Sequence, residues 1–216
     1  IEVGESYNYK FDWNEGYDGA CHGKDLSLVK MMIEKGADNL NRGLYNACKS
    51  DNIEIIEYIT SVMKLEDINW NQILYYASYQ GYIEFMRTII EKIKKANIYI
   101  DWNYCLEEGC RGGKIEIVKM IIEESNCPLN WIRGLYGASK GNNKYLVKLM
   151  IDYVSTLQQR YESFELGYTL IETSDLEIAK LIIEISNEPE EIIKYFNTFI
   201  CYRGNLEIFK YLISIY

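Results

Sequence analysis

A chain of 216 residues that is 48% hydrophobic and 25% charged has enough apolar material for a packed core and does not have the composition of a disordered polymer. Its formal net charge of -9 argues against generalised binding to nucleic acid or anionic membrane, which need a positive field, although it leaves room for a local basic patch. No apolar stretch approaches the roughly 20 residues of a membrane span, and the opening IEVGESYNYK lacks the architecture of a signal peptide. The expectation is therefore an intracellular, cytoplasmic protein. Only two prolines, Pro128 and Pro189, interrupt the chain, which favours helices. The twenty tyrosines, among many isoleucines, lysines and asparagines, fit an AT-rich coding source.

Residues 1–11 read as an N-terminal capping segment, and from residue 12 the chain repeats itself. NEGYDGACHGKDLSLVKMM from Asn14, NRGLYNACKSDNIEIIEYI from Asn41, NQILYYASYQGYIEFMRTI from Asn71, NYCLEEGCRGGKIEIVKMI from Asn103 and IRGLYGASKGNNKYLVKLM from Ile132 align without a gap. FELGYTLIETSDLEIAKLI from Phe164 and YFNTFICYRGNLEIFKYLI ending at Ile213 follow the same frame more weakly. Seven repeats result, starting near residues 12, 39, 69, 101, 130, 162 and 190 in one array over 12–216. The marker position runs Leu26, Ile53, Ile83, Ile115, Lys144, Leu176, Leu206, and six steps over 180 residues average 30. That is a solenoid period.

Each repeat predicts two short helices. In the first, the registers of Leu44, Ala47 and Cys48 have the i, i+3, i+4 spacing of one buried face. In the second, Ile53, Ile55, Ile56 and Ile59 make a wider apolar face. Between them the register of Asp51 holds Gly81, Gly113, Asn142 and Gly204, which tolerate the left-handed conformation that ends a helix. The next register holds Asp25, Asn52, Asn143, Asp175 and Asn205, good N-caps. Two residues later Glu54, Glu84, Glu116, Glu177 and Glu207 occupy the first turn, where the helix dipole favours a carboxylate. The predicted class is all-α: about seven helix-turn-helix units joined by short loops.

The pattern A-C/S-x-x-G-x-I-E-I-V-K-M-I-I-E, closed in the first repeat by KGAD at Lys35 to Asp38, resembles the ankyrin repeat over roughly residues 12 to 216. RGLY at Arg42 to Tyr45 and Arg133 to Tyr136 stands where that family has T-P-L-H. The inter-repeat loop is also short for its hairpin finger. The W-N-x-G-L-Y-x-A-C variant is similar to ankyrin proteins of giant viruses of amoebae and of amoeboid protists. The resemblance implies a protein-binding scaffold whose first helices line a concave groove.

Other chemistry is poorly supported by the residues. CRGGK at residues 110–114 looks like a phosphate loop, but such a loop follows a strand and places Ser or Thr after the lysine, where Ile115 stands. Lys114 replaces the usual Asn or Asp, so this turn should be poorly capped. Trp13, Trp70, Trp102 and Trp131 form either an aromatic binding ladder or hydrophobic staples; their periodic placement favours staples. With Asn71 as N-cap, Trp70 would pair with Tyr75, as Leu40 with Tyr45 and Trp131 with Tyr136. Cys21, Cys48, Cys110 and Cys201 share a core register, Cys105 and Cys127 match no ligand spacing, and His22 is the lone histidine. Reduced thiols, with no metal, no cofactor and no catalytic residue, are the expectation.

Specificity in a repeat scaffold resides in surface positions that differ between repeats. The registers of Arg42, Asn46 and Lys49 share one face of the first helix, and the candidate partner-binding set is Arg42, Asn46, Lys49, Gln72, Tyr76, Tyr79, Tyr104, Arg111, Arg133, Lys140, Tyr195 and Tyr202. Across repeats two to five, the Arg42 and Lys49 registers hold five basic residues and no acid. The expected partner is a protein with an acidic or aromatic-accepting segment, with neither nucleic acid nor membrane involved. An adaptor acting on host or viral proteins is the leading expectation. A component of a virion or larger assembly, and a substrate-recruiting arm of a ubiquitin ligase in a longer chain, are the alternatives. The closing EIFKYLISIY predicts either a cap or a surface on which another element packs.

Overall fold

A computed structural model describes residues 11–157, 161–193 and 205–215, and among them the secondary structure is helical, without a strand. Compact packing divides the chain into an N-terminal body, Ile1–Tyr76 with Thr88–Ile100, and a C-terminal body, Ala77–Arg87 with Asp101–Tyr216. The N-terminal body contains α1 (Trp13–His22), α2 (Leu26–Glu34), α3 (Leu40–Lys49), α4 (Ile53–Val62) and a short 3-10 turn, Leu65–Asp67. The boundary falls inside α5 (Trp70–Gln80) and α6 (Ile83–Lys95). The C-terminal body continues with α7 (Trp102–Arg111), α8 (Ile115–Glu124), α9 (Trp131–Lys140), α10 (Lys144–Thr156), α11 (Ser163–Glu172), α12 (Leu176–Glu184) and α13 (Leu206–Ile215). No helix among the described residues is long and apolar enough to cross a membrane.

The turns inside the helix pairs follow from their residues. Asp51, Gly81, Gly113 and Asn142 all adopt positive φ, as does Lys24. Gly204 lies outside the described residues. The caps that follow are made as the residue types demand: Asp25, Asn52, Asn143, Asp175 and Asn205 each accept a first-turn backbone N–H of the next helix at 2.8–3.2 Å. Lys114, before α8, makes no side-chain cap.

Packing within each body is of two kinds. A helix packs on its own partner, as α1 on α2, α3 on α4, α7 on α8, α9 on α10 and α11 on α12. It also packs on its counterpart in the next pair: α1 on α3 and α2 on α4 in one body, α7 on α9 on α11 and α10 on α12 on α13 in the other. The second helices supply much of the core, including Ile55, Ile56 and Ile59 of α4 and Ile117, Val118, Met120 and Ile121 of α8. Each such side chain contributes roughly 1.5–3 kcal/mol by leaving water. The first helices approach one another closely. A Cβ on Gly137 of α9 would lie 2.1 Å from the Glu107 carbonyl oxygen of α7, so only glycine fits.

The start of the first helices corrects the staple expectation. Trp70, Trp102 and Trp131 are the first residues of their helices and are buried. The caps are the residues before them: Asn69, Asp101 and Asn130 accept the N–H of Gln72, Tyr104 and Arg133 at 3.1–3.3 Å. Trp131 stacks on Tyr153 of α10 at 4.1 Å, and Trp70 Nε1 donates to the Leu65 carbonyl at 2.8 Å. A D/N-W-N motif offers a capping side chain on either side of the tryptophan, and burial of the indole selects the first.

The second asparagine of the motif has another task. Asn14 Oδ1 accepts from the N–H groups of Asp38 and Asn39, and Asn41 accepts from Asn69 N–H while donating to the Asp67 carbonyl at 2.7 Å. Asn71, expected as an N-cap, lies inside α5 and donates to the Tyr99 carbonyl. In the C-terminal body Asn103 accepts from Asn130 N–H at 2.6 Å. These amides hold the loop that leads into the following helix pair.

Candidate partner-binding face

The described candidate residues are exposed or half-buried and lie on the first helices away from the side that buries Leu44, Ala47 and Cys48 in α3 or Leu135 and Ala138 in α9. In the N-terminal body Arg42 Nε of α3 stands 2.6 Å from Asp18 Oδ2 of α1. Asn46 and Gln72 are half-buried. Lys49 Nζ lies 5.3 Å from the centre of the Tyr45 ring, and Tyr45 meets Tyr76 edge-on at 5.7 Å.

In the C-terminal body the cations are more tightly engaged. The Arg111 guanidinium lies over the ring of Tyr79 at 4.6 Å, and its Nη2 pairs with Glu108 at 2.6 Å while its buried Nε has no hydrogen-bond partner. Arg133 lies over Tyr104 at 5.2 Å and its Nε donates to Glu107 Oε2 at 3.1 Å. Lys140 Nζ sits 3.6 Å from Glu172 Oε2, 5.3 Å from the Tyr136 ring centre and 3.5 Å from its hydroxyl. Tyr195 and Tyr202 lie outside the described residues.

The carboxylates revise the sequence expectation of a basic stripe without acids. Asp18 and Glu107 occupy the register of Tyr45, Glu108 that of Asn46 and Glu172 that of Lys49. Reading only the Arg42 and Lys49 registers of repeats two to five passes over them. The signal was present as Glu107 and Glu108 placed i-4 and i-3 to Arg111. Pairing does not make the face symmetric, however. The side chains of Arg42, Arg111, Arg133 and Lys140 are 63%, 36%, 40% and 34% exposed, against 12%, 8%, 12% and 13% for Asp18, Glu108, Glu107 and Glu172. The acids lie beneath and the cations lie outward.

Burial raises the carboxyls of Asp18, Glu107 and Glu108 above their ordinary values, working against the cations beside them. Arg42 and Asn46 oppose the rise at Asp18, and Arg111 opposes it at Glu108. Arg133, Lys140 and Arg111 oppose it at Glu107. Burial likewise pushes the thiols of Cys21, Cys48, Cys105 and Cys110 up to about 12. These thiols stay protonated and act as small core groups.

Along this face tyrosine rings lie under cations at 4.6–5.3 Å. No protein-family model matches the chain, and a comparison with characterised proteins returns no match.

Proposed function

We propose that this chain is an ankyrin-type repeat scaffold that binds a partner protein on the exposed face of its first helices. What supports the repeat assignment is the coincidence of helix starts with the sequence period, at Leu26, Ile53, Ile83, Ile115, Lys144, Leu176 and Leu206 for the second helices. The binding assignment is carried by one observation: a row of tyrosine rings with outward cations set above sunken carboxylates. Arg and Tyr are the side chains that dominate interface energetics when pre-positioned. A preorganised face loses less entropy on association than a mobile one.

The test is affinity purification from the native cell, followed by titration of the purified partner against the wild type and a Tyr79→Ala, Arg111→Ala, Arg133→Ala variant. A loss of affinity of at least about tenfold is the expected result. A partner that binds both proteins equally would remove the reading.

A further inference from the structure

The cations on the face of the C-terminal body are each already matched. Arg111 pairs with Glu108, Arg133 with Glu107 and Lys140 with Glu172, so three positive and three negative groups leave this cluster on α7, α9 and α11 uncharged as a whole. The two signs differ in their surroundings. The carboxylates lie beneath at 8–13% exposure, and the cations lie outward at 34–40%. A proton taken up by the cluster therefore cancels a sunken charge and leaves an outward one unopposed.

Glu107 and Glu108 stand side by side on α7, and withdrawal from water disfavours the ionised form of both. The charge of Glu107 adds to the effect at Glu108. Opposing it are Arg111 on the same helix and Arg133 and Lys140 on α9. The other titratable groups around them are the thiols of Cys105 and Cys110 on α7, and Glu172 of α11, which reaches Lys140. α8 also packs on α7, but its Glu116 and Lys119 pair with each other in solvent. On balance both carboxyls are raised, so as pH falls they lose their charge ahead of acids at the ordinary value.

The cations have a second support that acid does not remove. Arg111 lies 4.6 Å from the centre of the Tyr79 ring, Arg133 5.2 Å from that of Tyr104 and Lys140 5.3 Å from that of Tyr136. Protonating Glu107 and Glu108 thus leaves Arg111 and Arg133 resting on rings, and the cluster gains two net positive charges.

We propose that this face is proton-gated: near neutrality its cations are cancelled from beneath, and protonation of Glu107 and Glu108 turns it into a binding surface for an anion that stays ionised in mild acid. The gate rests on the binding reading of this face and supplies its regulation.

The probe is a rhodamine-labelled sulfated oligosaccharide, followed by anisotropy as pH is lowered from about 7 to about 5. With the unaltered protein its affinity should rise at least about tenfold over that range. Glu107→Gln with Glu108→Gln should open the gate without acid, binding at least about tenfold tighter than the unaltered protein at neutral pH. Glu54→Gln with Glu57→Gln on α4 changes the net charge equally, on exposed acids of the other body, and should leave neutral binding unaltered. Adding Arg133→Ala to the open variant should remove most of its gain. An open variant that binds no better than the unaltered protein overturns the gate, and so does an equal gain from the α4 pair. If circular dichroism shows the open variant unfolded, NMR of the unaltered protein decides. The Glu107 and Glu108 carboxyl resonances and the Arg111 and Arg133 side-chain N–H resonances should then move together, at a midpoint above that of the exposed acids. A shared midpoint at or below theirs overturns the gate. The binding reading is decided separately, by the natural partner and the Tyr79→Ala, Arg111→Ala, Arg133→Ala variant.

Discussion

Asp18 in the N-terminal body is opposed by one cation, Arg42, whereas Glu107 in the C-terminal body is opposed by Arg133, Lys140 and Arg111 together. Both carboxylates occupy the same register of a first helix, and both are largely buried. A single pair has no substitute when its cation is removed, while a network shares the loss. The same contrast extends to glycine. Gly19 of α1 and Gly137 of α9 share a register, yet a Cβ on Gly19 meets nothing within 4 Å and one on Gly137 meets the Glu107 carbonyl. Gly137 is closed off by α7, the first helix before it in the array, whereas no described helix precedes α1.

Gly137→Ala should give the largest effect. With a backbone carbonyl in the way, we expect a loss of about 3 kcal/mol or more in chemical denaturation. Gly19→Ala at the equivalent position should gain up to about 1 kcal/mol, because an interior helical glycine costs entropy. Equal effects would mean that the two first-helix packings are alike. Next comes Arg42→Ala, expected to cost about 1–2 kcal/mol by leaving Asp18 without its cation, discounted for the exposure of the guanidinium. Arg133→Ala should cost less, about 0.5–1 kcal/mol, because Lys140 and Arg111 remain near Glu107. A larger loss at Arg133 would show that the network does not share charge.

A smaller gain should follow from Lys114→Asn, which supplies the cap that Asn52 and Asn143 make at their turns and should add about 0.5–1 kcal/mol. An unchanged denaturation midpoint would show that this turn needs no cap.

Titration sharpens the comparison between the face and the turns. The carboxyls of Asp18, Glu107 and Glu108 are raised, so the folded chain takes up their protons before the unfolded chain does as pH falls. Between the unfolded and folded values these groups lower stability as pH rises. Asp175 is the reverse: burial is outweighed by the hydrogen bond from Lys144, the N–H groups of Ile178 and Glu177, and the Lys144 charge, which hold its carboxyl below its ordinary value. Its contribution is present above the unfolded value and is lost as pH falls through the folded one. Side-chain carboxyl NMR should therefore give midpoints above the usual carboxylate range for the three face acids and below it for Asp175. A midpoint for Glu107 below the usual range would show that the cations outweigh burial there.

The sequence by itself determined what is local. Helix identity follows from the spacing of Leu44, Ala47 and Cys48, and inner turns such as Asp51–Asn52 and Asn142–Asn143 from a residue that tolerates positive φ followed by a cap, because these are interactions between neighbours in the chain. The tertiary structure decided which side of a tryptophan caps its helix, since the choice between Asn69 and Asn71 depends on where the Trp70 indole is buried. It also decided the charge of the face. Asp18 meets Arg42 and Glu107 meets Arg133 only when successive first helices pack side by side, across 24 and 26 residues of sequence. A list of registers taken one at a time contains every one of those residues but not the distance between two helices, and at the face that distance sets both the pairing and the exposure of each charge.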